Sequence, residues 1–320
     1  SSSTYRDLAL GLDATFTYRT GGLYLSAGAP MTLEREALHV GAVHDEATRL
    51  TVSPFISLRK GIGQRGELWL RGGYAQRPDL DSYYSPSPIR RGYRLYYQSL
   101  ERLYTQERLS GSLRLSYRDP LELFFAYLQL GYLQTTRGYY RDYTFSADRA
   151  ESIPIDRTHH RRTFSIAGAL DGTISPLGLS LHAELKYSHT SYLSAQARRT
   201  YPIQSDLLQP SLTMMCNKFA PLELAYTFEL SSMWLHHPLT RLDPVLSLRE
   251  SVEAALPLGG AWLLSMQVVH SMNETSPRHY KHSFFGDLDA RWTVSKRLKL
   301  SARIANLWGQ TAYRVTHLSA

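Results

Sequence analysis

The sequence predicts an all-β protein, an antiparallel transmembrane β-barrel wall, on three observations. Apolar and polar residues alternate with period two in segment after segment, the segments are longer than soluble strands, and short turns alternate with long polar connections.

The first segment shows the alternation. Leu8, Leu10, Leu12, Ala14, Phe16 and Tyr18 share one side of an extended chain, and Ala9, Gly11, Asp13, Thr15, Thr17 and Arg19 share the other. After Thr20-Gly21-Gly22 the pattern resumes with Leu23, Leu25, Ala27, Met31 and Leu33, which reads as a hairpin. It recurs near 49–59, 66–77, 105–118, 121–134, 162–175, 178–189, 206–217, 221–233, 245–257, 260–272, 283–295 and 297–307, about fourteen strands in all. Leu222, Leu224, Tyr226, Phe228 and Leu230 oppose Glu223, Ala225, Thr227 and Glu229, while Leu288, Ala290, Trp292 and Val294 oppose Asp287, Asp289, Arg291 and Thr293.

Length argues for a membrane. The segments run to about 11–15 residues, against about 5–6 for a soluble strand and about 9–11 for a membrane-crossing one. A soluble sandwich or solenoid of amphipathic strands is the competing architecture. Against it stand the aromatic ends: Phe16, Tyr18, Tyr117 and Trp292 lie near short turns, and Tyr132, Tyr187, Trp308 and Tyr313 near the opposite ends, as two interfacial girdles would.

The short turns fall at Thr20–Gly22, Lys60–Arg65, Asp119–Pro120, Ser175–Gly178, Asn217–Pro221, Pro257–Gly260 and Ser295–Arg297. Long polar loops are expected at 34–48, 78–104, 135–161, 190–205, 234–244 and 273–282. Short turns of such barrels are periplasmic and long loops extracellular. Residues 1–320 then read as one outer-membrane barrel segment with both ends outside, incomplete at each end and part of a wall of at least about sixteen strands.

Composition narrows the function classes. No run of about 18 apolar residues occurs and mean hydropathy is -0.31, which rules out a helical membrane bundle and leaves a barrel allowed. The 22 Tyr suit rings with one wet end. Cys216 stands alone, so neither an internal disulfide nor thiolate zinc is expected. The net charge of +8 comes partly from Arg90-Arg91, Arg161-Arg162 and Arg198-Arg199 in expected loops, which favours lipopolysaccharide or an anionic ligand over nucleic acid. No basic or apolar leader precedes the first strand within this sequence.

Arg77-Pro78-Asp79-Leu80 follows a strand ending Gly73-Tyr74-Ala75, Asp287 to Trp308 reads DLDARWTVSKRLKLSARIANLW, and Tyr117 to Pro120 is followed by Phe124-Phe125. These segments resemble the barrels of Bacteroidetes-type TonB-dependent outer-membrane receptors, the second being similar to that family's penultimate hairpin and the third to another of its hairpins. The resemblance implies a 22-stranded barrel, a plug domain absent from this chain, coupling to TonB and import of a bulky nutrient. The chain departs from the family pattern in lacking a G-N-P-x-L element before the fifth strand, a TonB box and a final strand with an aromatic end. A passive porin or fatty-acid-type channel and a barrel-anchored surface adhesin are the alternatives.

No catalytic motif is present: G-x-S-x-G, H-E-x-x-H and the phosphate loop are all missing, so no enzyme, cofactor or metal is expected. Glu223 with Glu229, or Asp287 with Asp289, reads as lining of an aqueous face. His159-His160, His236-His237, His279 and His282 read as solvated loop residues, because adjacent residues of an extended chain point to opposite sides. The expected ligand-binding residues are Tyr83, Tyr84, Arg90 and Arg91 in one long loop, with Tyr139, Tyr140, Arg141, Arg161 and Arg162 in or at the end of the next. Tyrosine paired with arginine suits an anionic ligand, although the same tyrosines would serve equally to pack the loops.

Overall fold

A computed structural model describes residues 3–40, 43–78, 89–92, 95–97, 104–145, 150–196, 199–238, 240–241, 243–276, 279–295 and 298–308. The chain opens with three bent strands. β1 (Ser3–Leu12) continues as β2 (Thr15–Thr20), β3 (Leu23–Gly28) as β4 (Met31–Val40), and β5 (Val43–Val52) as β6 (Phe55–Ile62). Then follow β7 (Gly66–Pro78), the short β8 (Ile89–Gly92) and β9 (Leu95–Tyr97), β10 (Thr105–Asp119), β11 (Phe124–Phe145) and β12 (Ala150–Ile174). β13 (Leu179–Gln196), β14 (Arg199–Cys216), β15 (Glu223–His237), β16 (Thr240–Arg241), β17 (Val245–Leu258), β18 (Trp262–Ser276), β19 (His279–Thr293) and β20 (Lys299–Ile304) complete it.

Fourteen strands form one antiparallel sheet, each pairing with its neighbour in the order β2, β3, β6, β7, β10, β11, β12, β13, β14, β15, β17, β18, β19 and β20. Among the described residues the edge strands β2 and β20 do not pair with each other. The breaks at Asp13–Ala14, Ala29–Pro30 and Ser53–Pro54 separate a three-stranded sheet, β1, β4 and β5, from the main one. Pro30 and Pro54 have no N–H to give a ladder. Their carbonyls still accept from Ser53 and Tyr74, which carries the register across the break.

The short turns have the glycines they need. Gly21 and Gly22 both take positive φ, 47° and 78°, the type I′ requirement of a two-residue hairpin.

Residues directly opposite in a ladder share a face, so the registers can be followed from strand to strand. One row runs Leu70, Leu113, Leu130, Ile166, Tyr187 and Leu208. Another runs Met214, Tyr226, Val252, Val268 and Gly286. Leu224, Tyr226, Leu288 and Trp292 stand on this apolar face, and Arg71, Glu223, Asp287 and Arg291 on the polar one. In the smaller sheet Leu10, Leu33 and Leu50 are opposite one another, and Leu8 and Leu10 are 72% and 73% exposed. Exposed leucines in rows, with Glu36 and Asp119 buried, invert the burial of a water-soluble protein.

The polar face is the inside of the curl. One cavity of about 1060 Å³ is lined from β2, β3, β6, β7, β10 and β11, including Arg19, Tyr24, Arg59, Trp69 and Arg114. Another of about 560 Å³ is lined from β13 to β20, including Glu223, Glu253, Asp287 and Arg303. Only a curved sheet brings six or seven successive strands to one cavity.

The long loops expected at 34–48, 135–161, 190–205, 234–244 and 273–282 are largely strand, which corrects the sequence reading. Those stretches are polar on both faces, which hides the period-two signal, but the cross-strand ladder satisfies their backbone groups. Of 78–104, Pro78 at the end of β7, the hairpin β8–β9 and Tyr104 are described.

Candidate functional site

The strands extend beyond the short-turn half of the sheet, and the extension of β11 and β12 builds a site. Its geometry begins with a bulge: the β11–β12 register shifts between Arg137 and Tyr139, so that Tyr139 pairs with Asp156 and Tyr140 with Ile155. Gly138 sits in the bulge because a Cβ there would meet the Tyr104 ring at 2.4 Å. The Tyr104 and Tyr139 rings then meet edge to face at 5.4 Å, and Tyr139 is 1% exposed.

Below these rings a cavity of about 420 Å³ is lined by Arg137, Tyr139, Tyr140, Arg141, His159, Arg161 and Tyr192, with Gln106, Thr135, Thr163 and Ser194. Arg161 lies over the Tyr192 ring at 5.6 Å, and Arg141 over Tyr139 at 5.8 Å. Arg141 also donates to Ser152 Oγ at 3.4 Å. His159 packs its ring edge-on to Tyr140 at 6.1 Å. Burial first, then the charges of Arg137 and His160, hold that imidazole below its ordinary pKa. A neutral imidazole beside guanidiniums and tyrosines is a setting for an oxyanion.

Of the residues expected to bind ligand, Tyr139, Tyr140, Arg141 and Arg161 meet at this cavity. Arg162 is on the other face and donates to Gln134 at 3.3 Å. Arg90 and Arg91 lie on β8, where Arg90 is opposite Tyr96. β9 in turn lies parallel to Ala150–Ser152, which docks this hairpin on the start of β12. Tyr83 and Tyr84 lie outside the described residues. The sequence reading missed Arg137, His159 and Tyr192 as one group, because only the cross-strand register brings them together.

The histidines are not all solvated. On the apolar face His270 Nδ1 lies 3.0 Å from Glu250, and its Nε2 lies 3.0 Å from His282 Nδ1. Tyr226 donates to the same carboxylate at 2.9 Å, and Phe284 stacks on His270 at 4.5 Å. A second cluster collects on Asp206, which accepts from Tyr187 at 2.6 Å and lies 2.8 Å from His189 and 3.3 Å from His236. Among the described residues no group of histidines and carboxylates has metal-site geometry.

The C-terminal hairpin that carries the sequence resemblance is a structural unit. Asp287 accepts from the backbone N–H of Asn306 at 3.0 Å and is paired with Arg303, while Arg291 donates to Asp289 at 2.8 Å. Leu307 N–H donates to the Gly286 carbonyl at 2.8 Å. Gly286 leaves room for Trp308, whose ring would lie 2.3 Å from a Cβ there.

No family model matches the chain, and no curated protein matches it. Among solved structures it overlays on BauA, the ferric preacinetobactin receptor from Acinetobacter baumannii, with a TM-score of 0.49 and 10% identity, covering 91% of this chain and 53% of that one. For Fiu, a ferric-catecholate import receptor of E. coli K12, the values are 0.46, 9%, 95% and 64%. For OmpT, an outer-membrane protein of Vibrio cholerae, they are 0.32, 8%, 91% and 96%. The chain thus spans about half to two thirds of the length of the receptors it overlays.

Proposed function

We propose that this chain is the wall of a bacterial outer-membrane barrel, with the polar face lining the bore and the long hairpins extracellular. The height of the apolar face carries the reading. On β13 that face reads Leu179, Leu181, Ala183, Leu185 and Tyr187 before His189, and on β18 Trp262, Leu264, Met266 and Val268 before His270. On β11 it reads Phe124, Ala126, Leu128, Leu130 and Tyr132 before Gln134. The seven-residue run on β18 rises about 23 Å along the strand, and the nine-residue runs on β11 and β13 rise about 30 Å. A tilt of about 35–45° reduces the latter to about 20–25 Å, against an apolar band of about 25 Å in outer-membrane barrels.

Aromatic rings mark both borders. Trp262 and Trp292 stack 5.0 Å apart at the short-turn border, and Tyr132, Phe164 and Tyr187 stand at the other. The carboxylates of Asp206 and Glu250 occur on the apolar face only at that second border, where histidine and tyrosine hold them. Outer-membrane lipid and, at the upper rim, lipopolysaccharide are the surroundings this face fits.

The finer reading is a TonB-dependent receptor that imports a nutrient bearing an oxyanion, captured first in the cavity of Arg137, Tyr140 and Arg161. It draws on the resemblance of Asp287 to Trp308 to that family and on the cavity's chemistry. A plug domain inside the bore and a TonB partner come with this reading. The test is binding of a purified TonB periplasmic domain to the full-length protein in detergent: saturable binding is expected. A heat-modifiable, membrane-inserted protein that does not bind TonB contradicts the import reading and leaves a passive channel.

A further inference from the structure

The bore-facing side of β7, β10, β11 and β12 is lined by arginines, several of them without carboxylate partners. Reading down from the long-hairpin end, the ladder sets Arg77 opposite Gln106, which is opposite Arg137. The next row is Ala75, Arg108, Thr135 and Arg161. Gly73, Ser110, Leu133 and Thr163 follow, then Arg71, Ser112, Gly131 and Ser165, then Trp69, Arg114, Gln129 and Ala167. Arg118, opposite Phe125, ends the series at the short turns.

Along this strip the acidic side chains are Glu67, paired with Arg59, and Asp171, held by His182. Among the described residues Arg71, Arg77, Arg108 and Arg118 make no side-chain hydrogen bond or ion pair. Arg114 lies over the Tyr127 ring at 4.4 Å, which orients the guanidinium without neutralising it. The other half of the bore differs: Arg291 and Arg303 are bound to Asp289 and Asp287, and Lys186 is 2.7 Å from Glu184.

We propose that this strip is an anion track that binds multivalent oxyanions of the phosphate-ester class and leads them from the upper cavity toward the short-turn end. The proposal rests on the polar face being the inside of a barrel. Arg71 and Arg114 are diagonal neighbours across β7 and β10, about 7–8 Å apart at the backbone, so both guanidiniums reach one pyrophosphate-sized anion. Their planar forks suit two oxygens each. In the row of Arg71 and the row above it lie Ser112, Gly131 and Ser165, then Gly73, Ser110, Leu133 and Thr163, where the serine and threonine hydroxyls add hydrogen-bond donors along the way. Focusing of one sign of charge along a low-dielectric wall raises local anion concentration.

The test uses the full-length protein in detergent with inorganic pyrophosphate as the probe, measured by equilibrium dialysis at low and at physiological salt. Salt-sensitive binding is expected, on the order of tenfold weaker in R71Q/R114Q, partly restored in R71K/R114K and unchanged in R303Q. Equal affinity in wild type and R71Q/R114Q, or no binding by a heat-modifiable, membrane-competent wild type, would overturn the track. Binding lost only in R137Q/R161Q would also overturn it while leaving the upper-cavity reading intact. A failure of the barrel reading shows itself separately, as a protein that does not insert in lipid.

Discussion

The lower and upper parts of β11 and β12 are the same two strands in the same ladder, yet they are packed for different solvents. Between Phe124 and Tyr132, and between Phe164 and Ile174, the large apolar side chains are exposed: Leu128 and Leu170 are each 49% accessible. Above the bulge at Gly138 large side chains are covered by protein instead, with Tyr139 and Tyr140 both buried. A strand with lipid on one face has no need to cover its leucines with protein, and the same strand in water must collapse on itself. The boundary lies where the outward residue changes from Tyr132 to Gln134.

The largest effect that would sharpen this contrast comes from emptying the upper core. Tyr139→Ala is expected to cost about 3–5 kcal/mol locally, as large-to-small substitutions of buried aromatics do. The β11–β12 extension should then lose hydrogen-exchange protection above residue 137, while the lower rows stay protected and the protein stays in the membrane. Loss of protection along the whole of both strands would show that the two parts are not separate.

Next in size is a charge in the lower part. Leu224→Arg places a guanidinium on the apolar face near the short-turn border and should cost up to about 2–4 kcal/mol in folding into bilayers, depending on its depth. Thr227→Arg, on the polar face of the same strand, should cost little. Denaturant titration in lipid vesicles checks both, and equal losses would remove the distinction between the faces.

A smaller effect is expected at His159. Its folded pKa is lowered, so the fold favours the neutral ring and the unfolded extension takes up the proton more readily. The stabilisation is complete above the ordinary value of 6.5 and is lost as pH falls through the lower folded value. Exchange protection of 137–141 and 154–161 should therefore fall between neutral and mildly acid pH, and His159→Gln should flatten that dependence. A wild type with no such pH dependence would contradict the burial of this ring.

Much of the lower part could be read from the sequence, because its physics is local. Leu224, Tyr226 and Phe228 against Glu223, Ala225 and Thr227 identify both faces without any partner strand. Gly21-Gly22 likewise marks its turn alone. The upper part could not be read this way. One extra residue at Gly138 changes the partners of Tyr139 and Tyr140, and nothing in the local pattern announces a bulge. The breaks at Pro30 and Pro54 fall inside continuous alternation, where the sequence predicts single strands. The cavity of Arg137, His159, Arg161 and Tyr192 and the cluster of Glu250, His270 and His282 depend on registers between distant segments, and a one-residue slip would send each side chain to the other face.

The most direct test of the two-faced wall is a nitroxide scan of β15 in lipid vesicles, with Cys216, the chain's one cysteine, replaced by serine. Single cysteines at residues 223–231 are labelled and their collisions with oxygen and with a water-soluble nickel complex are compared. Oxygen-rich, nickel-poor signals are expected at Leu224, Tyr226, Phe228 and Leu230, and the reverse at Glu223, Ala225, Thr227 and Glu229. Equal nickel access at both sets would contradict the two-faced wall.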